Sequence, residues 1–158
     1  INRNNATDDP FSIFKEAGAN LVRVRLWHNP TWTNYSNYED VKKTIRRAKN
    51  EGMKVLLDFH YSDTWADPHH QEVPAAWLSE VNNTEALGTL LYNYTYETLN
   101  NLFNENLLPD IVQIGNEIRA MILQPDDQVA PINWNRNAYL INKGIQAARN
   151  FSTNKNIR

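Results

Sequence analysis

Apolar positions along the 158-residue chain follow two different periods. From Leu21 to Trp27, Val22, Val24 and Leu26 alternate with Arg23, Arg25 and Trp27, the period of two that a strand imposes. Lys54 to His60 repeats it, with Val55, Leu57 and Phe59 on one face and Leu56, Asp58 and His60 on the other. Asp110 to Gly115, behind Pro109, is a third run of strand length. Between these runs the spacing changes to three or four. Val41, Ile45 and Ala48 predict a helix over Tyr38–Asn50. Leu87, Leu90, Leu91, Tyr94, Leu99, Leu102 and Phe103 predict a longer one from Thr84, its capping residue, to Asn106. Pro10–Ala17 reads as a first helix, capped by Asp8 or Asp9 and stopped by Gly18. Gly52 stops the second helix, and Asn135–Phe151 reads as the last. The tail from Ser152 to Arg158 predicts no partner element.

Helices alternating with strands imply an α/β protein with a parallel sheet and right-handed crossovers. The loops preceding strands are short and carry Gly or Pro. Those following strands are long and rich in Trp, Asp, His and Pro. That asymmetry puts the site at the C-terminal strand ends. No Gly-x-Gly-x-x-Gly or Walker-type loop follows a strand, which argues against dinucleotide and nucleoside-triphosphate sites.

Composition narrows the picture further. Apolar residues are 41% and charged residues 22%, ordinary globular usage with no sign of a disordered tail. A net charge of −2 offers no basic excess for nucleic acid. No apolar run approaches the roughly 20 residues of a membrane span. The absence of cysteine removes disulfides, thiolate metal sites and cysteine nucleophiles. Ile1 opens a polar stretch without the apolar core of a signal peptide. Five Asn-x-Ser/Thr sequons, at Asn5, Asn34, Asn82, Asn93 and Asn150, occur among 23 asparagines, a content that generates them by chance.

The candidate chemistry gathers on three strand ends. Arg23, Arg25 and Trp27 share one face, which is either a charged site or a solvated edge strand. Asp58 and His60 share a face, so the carboxylate either orients the imidazole or pairs with Arg25. His60, His69 and His70 match no tight zinc spacing, and His69 and His70 read as an exposed loop pair. Asn116-Glu117 follows the third strand after Gly115, a residue that allows a bulge or a close approach. Enclosure suits a Glu there to general acid work, and Asn can bond a sugar hydroxyl. Trp27, Trp32, Trp65, Trp77 and Trp134 fall at strand ends or in the loops beyond. Rings beside carboxylates suit sugars, whose C–H faces pack on aromatic faces. Trp77 and Trp134 read instead as loop-anchoring core residues.

Three ordered motifs carry a resemblance: Arg23-Val24-Arg25-Leu26-Trp27-His28-Asn29-Pro30, Leu57 to Pro68 with its Ser-Asp-x-Trp-Ala-Asp-Pro run, and Gln113-Ile114-Gly115-Asn116-Glu117. Together they resemble the endo-β-1,4-galactanases of glycoside hydrolase family 53 over nearly the whole chain. The resemblance implies a retaining (β/α)8 barrel that cleaves β-1,4-galactan in pectic arabinogalactan side chains; no cofactor is expected, and no metal ligands among these residues. It implies Glu117 as acid/base and Asn116 as the contact to the 2-hydroxyl of the cleaved sugar. Arg25 is implied beside the nucleophile, with Trp27, Asp58, His60, Trp65 and Asp67 lining the substrate site.

Such a barrel needs about 250 residues. Residues 1–158 are therefore expected to be a single fragment, a partial TIM barrel with about strands 2–4 and helices 1–4. The family's nucleophile, a Glu after strand seven, has no counterpart in it. Glu16, Glu39, Glu72 and Glu105 fall in helices or distal loops. The isolated chain is expected to be inactive, with the parent enzyme extracellular, periplasmic or on the cell surface. Two alternatives stay open: a non-catalytic galactan-binding half-barrel, and one that self-associates through exposed barrel edges. Asn-Glu after strand four is shared across the wider clan, so mannan, xylan and cellulose remain rival substrates.

Overall fold

The computed structural model describes residues 8–124 and 130–155. The order is α1 (Pro10–Glu16), β1 (Leu21–Leu26), α2 (Tyr38–Asn50), β2 (Lys54–Phe59), a 3-10 helix (Ala75–Glu80), α3 (Thr84–Asn104), β3 (Ile111–Ile114) and α4 (Trp134–Asn154). The strands form one parallel sheet in the order β1-β2-β3. Each expected helix and strand is present, most with ends shifted by one to three residues.

The caps explain the helix boundaries. The Asp9 side chain accepts from Phe11 N, with Pro10 supplying the first helical residue. Asn37 caps α2 by accepting from Asp40 N at 2.9 Å. Thr84 is not the cap of α3. Asn83 is, accepting from Ala86 N at 3.1 Å, since its carboxamide oxygen reaches the third amide of the helix. Ser152–Asn154 do not form a partnerless tail: they complete the last turn of α4, where Asn154 Nδ2 donates to Tyr96 OH. The 3-10 helix was not legible in the periodicity, being too short to show one.

The core lies between the sheet and the helices. Val24 and Leu26 of β1 and Val55, Leu57 and Phe59 of β2 turn into it, and the three β2 residues are fully buried. Val41, Ile45 and Ala48 of α2 and Leu87, Leu91, Leu99 and Leu102 of α3 cover that face. α4 lies close on β3 because Gly144 faces it; a Cβ there would stand 2.7 Å from Ile114 Cγ2. Trp77 is buried at the loop base, as its reading required. Trp134 is not: its ring is 62% exposed at the first position of α4, where the helix start projects into solvent. The sequon at Asn5 lies outside the described residues.

This packing leaves the opposite sheet face, with Arg23, Arg25, Asp58 and the start of the β2 exit loop, free to build a site. β1 and β3 each have a strand neighbour on one side among the described residues. Leu21 and Ile111, at their starts, are exposed.

Candidate active site

Strand register sets the site. Arg23 pairs with Leu56 and Arg25 with Asp58 across β1 and β2, while Asp58 pairs with Gln113 across β2 and β3. Side chains of the same phase therefore rise together from three strands. The ion pair skews away from the direct register partner. Asp58 is fully buried, and its Oδ2 lies 2.7 Å from Nη2 of Arg23, not of Arg25. Arg23 also donates to Asn116 Oδ1 at 2.6 Å and to Gln113 Oε1 at 3.1 Å, linking all three strands. Arg25, closer to the strand exit, is drawn off by other partners. It donates to Ser36 Oγ at 3.0 Å, and its guanidinium lies 4.8 Å from the Trp27 ring and 5.0 Å from the Trp65 ring. The cation is thus held between two aromatic faces.

The His60 imidazole is oriented by the bonds to its Nδ1, and Asp58 lies against its other nitrogen. His60 Nδ1 accepts from Trp27 Nε1 and from Ala66 N, both at 3.2 Å, which leaves the ring proton on Nε2. Nε2 faces Asp58 Oδ2 at 3.1 Å. Neither Asp58 oxygen nor His60 Nε2 has a well-aligned hydrogen bond among the described residues, so this contact is chiefly electrostatic. Trp27 is buried, serving as donor to His60 and as floor to Arg25. The exposed rings are Trp32, at 5.2 Å from Trp27, and Trp65, packed edge-on to His60. Asp67 turns into its own loop, accepting from His69 N, His70 N and His70 Nδ1. These bonds, led by the one from His69, hold its carboxyl below the usual range. His69 and His70 are exposed in that loop, as expected.

The turn after β3 is sharply bent. Gly115 has φ +80° and Glu117 φ +51°, both left-handed. A Cβ at residue 115 would stand 2.7 Å from Ile118 Cγ2, so the bend requires glycine. For Glu117 the left-handed backbone is strained, the kind of strain that collects at functional sites. Asn116 between them is buried and held at three atoms. Its Oδ1 accepts from Arg23, its Nδ2 donates to Ala66 O at 2.6 Å, and its main-chain O accepts from Gln71 Nε2 at 2.8 Å. Glu117 is exposed at the strand exit.

Sequence reasoning brought Asn116, Arg25, Trp27, Asp58, His60 and Trp65 to one end of the sheet, with Asp67 in the loop beyond, and the structure gathers them there. It named Arg23 on the shared face without giving it a role in the site, and it missed Gln71. Arg23 shares a face with Arg25, and the period-two pattern contained it as a candidate. Gln71, in an irregular loop, left no signal of spacing or charge.

The family model described as Glycosyl hydrolase family 53 matches residues 1–158. An arabinogalactan endo-β-1,4-galactanase of Cellvibrio japonicus is 54% identical over 146 residues, covering 91% of this chain and 39% of its own length. An endo-β-1,4-galactanase of Bacillus subtilis is 40% identical, covering 99% of this chain and 36% of its own. The Ignisphaera aggregans family 53 catalytic domain superposes with TM-score 0.85 at 35% identity, over 98% of this chain and 44% of that one. A fungal β-1,4-galactanase structure gives TM-score 0.84 at 41% identity, over 94% and 43%. The chain thus spans about two fifths of the length of these relatives, and its three strands and four helices are part of a (β/α)8 barrel. With its full length matched by the family model and its site motifs assembled at the strand exits, the chain belongs to glycosyl hydrolase family 53.

Proposed function

We propose that residues 1–158 are one piece of the catalytic barrel of a secreted endo-β-1,4-galactanase that degrades pectic galactan by a retaining, two-carboxylate mechanism. Glu117 is the acid/base. Its carboxyl gives a proton to the glycosidic oxygen as a second carboxylate bonds to the anomeric carbon, and the C–O bond to the leaving sugar breaks. Glu117, now ionised, takes a proton from water. The water oxygen bonds to the anomeric carbon and the second carboxylate departs.

The observation that carries this reading is the turn at Gly115-Asn116-Glu117, which offers an exposed Glu beside an Asn amide locked by Arg23 and Ala66. The names of the relatives support galactan as the substrate. The second carboxylate belongs to the part of the enzyme outside this segment. Asp58 is committed to Arg23 and His60, Glu39 and Glu105 pair with Lys42 on the outer helix layer, and Glu72 is exposed in the loop before the 3-10 helix. Trp65, Arg25 and Asn116 contact the sugar, while Asp58, His60 and Trp27 hold these contacts in place. Asp67 shapes the loop that carries Trp65. The segment alone lacks half the reacting pair and does not hydrolyse galactan.

A substrate panel tests this. The full-length enzyme carrying this segment should release reducing ends from β-1,4-galactan at least about a hundredfold faster than from mannan, xylan or cellulose, with retained anomeric configuration in the first product. Preference for another polysaccharide, or inversion, refutes it. Among the described residues β1 and β3 each keep one side without a strand neighbour, which favours a second reading for the segment by itself, self-association. Light scattering of the 158-residue chain at twice its 18.4 kDa mass would support that reading, and a monomer would exclude it.

A further inference from the structure

We propose that Gln71 is a positioning residue for the acid/base Glu117, an inference that rests on the galactanase reading above. Gln71 is buried in the loop between β2 and the 3-10 helix. Its amide uses both hydrogens: Nε2 donates to Asp67 O at 2.9 Å and to Asn116 O at 2.8 Å. Its main-chain O accepts from Gln124 N at 2.8 Å, tying the same point to the segment after the turn. The Asn116 carbonyl belongs to the peptide unit whose nitrogen is that of Glu117. Fixing that oxygen fixes the peptide plane, and with it the direction in which the Glu117 Cβ leaves the backbone.

That direction is an unfavourable one, with Glu117 at φ +51°. A strained residue persists only where its surroundings over-determine it. On one side, the Asn116 side chain is locked by Arg23 and Ala66. On the other, Gln71 supplies the hydrogen bond to the Asn116 carbonyl, since that oxygen receives no other among the described residues. Without the Gln71 amide the peptide is free to turn over, taking Glu117 out of the left-handed region and swinging its carboxyl away from the glycosidic oxygen. Gln71 touches no reacting atom; it acts through the backbone of residue 117.

The test uses Gln71→Met, which keeps length and removes the donors, in the full-length enzyme. A misdirected acid slows only steps that need a proton. Cleavage of galactan, whose leaving group is a sugar alkoxide, should fall about 10- to 100-fold in kcat with KM little changed. Release of the first equivalent of dinitrophenolate from a dinitrophenyl β-galactobioside, whose leaving group departs unprotonated, should fall less than about threefold. The ratio of the two rates does not depend on how much of the variant is folded. Gln71→Glu, isosteric and without either N–H donor, is read by the same ratio. A drop of about tenfold or more in that ratio for both variants supports the inference. Equal losses on both substrates, or none, overturn it and leave the galactanase reading standing; a wild-type enzyme inactive on galactan removes that reading as well.

Discussion

Removing the Arg23 guanidinium as Arg23→Met tests what holds three strands to one site. The substitution strips Asp58 of the cation 2.7 Å away and removes the donors to Asn116 and Gln113. At that separation the attraction is roughly 6 kcal/mol at an effective dielectric of about 20 and roughly 1.5 kcal/mol in bulk water. The Asp58 side chain is 0% exposed and that of Arg23 45%, so the pair lies between these limits and water recovers part of what is lost. The expected destabilisation is about 2–4 kcal/mol, most of it the cost of a buried carboxylate left without its partner. Urea unfolding of the full-length enzyme measures it, run as a cycle with Asp58→Asn and the double variant. The double variant should be more stable than additivity predicts by at least about 1.5 kcal/mol, because a neutral carboxamide at that position leaves no charge stranded. Arg23→Met within about 0.5 kcal/mol of wild type, or strict additivity, would refute the claim that Arg23 is the counter-ion of Asp58.

Three other outcomes follow from the same geometry. Gly115→Ala adds a Cβ 2.7 Å from Ile118 at φ +80° and should cost about 2–4 kcal/mol in urea unfolding, where an indifferent substitution would show that the turn is pliable. His28 lies 4.8 Å from both the Trp77 and Tyr94 rings and 3.4 Å from Asp63; burial pushes its pKa down against the pull of that carboxylate. Its contribution to stability is therefore full above the unfolded pKa of about 6.5 and is lost as pH falls through the lower folded value. Unfolding midpoints between pH 8 and 5 should fall more steeply for wild type than for His28→Phe, and equal slopes would count against it. Trp65→Ala removes an exposed ring that covers Arg25 and should weaken galactotriose binding about three- to tenfold by calorimetry, with unchanged affinity arguing for a packing role alone.

Much of the molecule was legible because strand and helix impose different periods. Val55, Leu57 and Phe59 could be placed in the core, and Asp58 and His60 at the site, from alternation alone. What alternation cannot give is which neighbour a side chain reaches. The Asp58 partner is Arg23, two residues before the register partner Arg25, since Arg25 is drawn to Ser36 and two Trp rings. Nor can it report backbone-directed bonds in irregular loops. Gln71 is buried by donating to two carbonyls, and nothing in its neighbours marks it. Trp134 shows the limit for aromatics: its apolar ring predicted a core role, but the start of α4 leaves it in solvent. The cap of α3 turned on one residue, Asn83 over Thr84, because only the geometry says which side chain meets the third amide.

The most direct measurement is the rate of reducing-end release from β-1,4-galactan by the full-length enzyme and its Glu117→Gln variant. Loss of a general acid/base predicts a fall of about 10²- to 10⁴-fold with the fold intact by circular dichroism. A Glu117→Gln enzyme that cleaves galactan at the wild-type rate would contradict the assignment of the acid/base to the turn after β3.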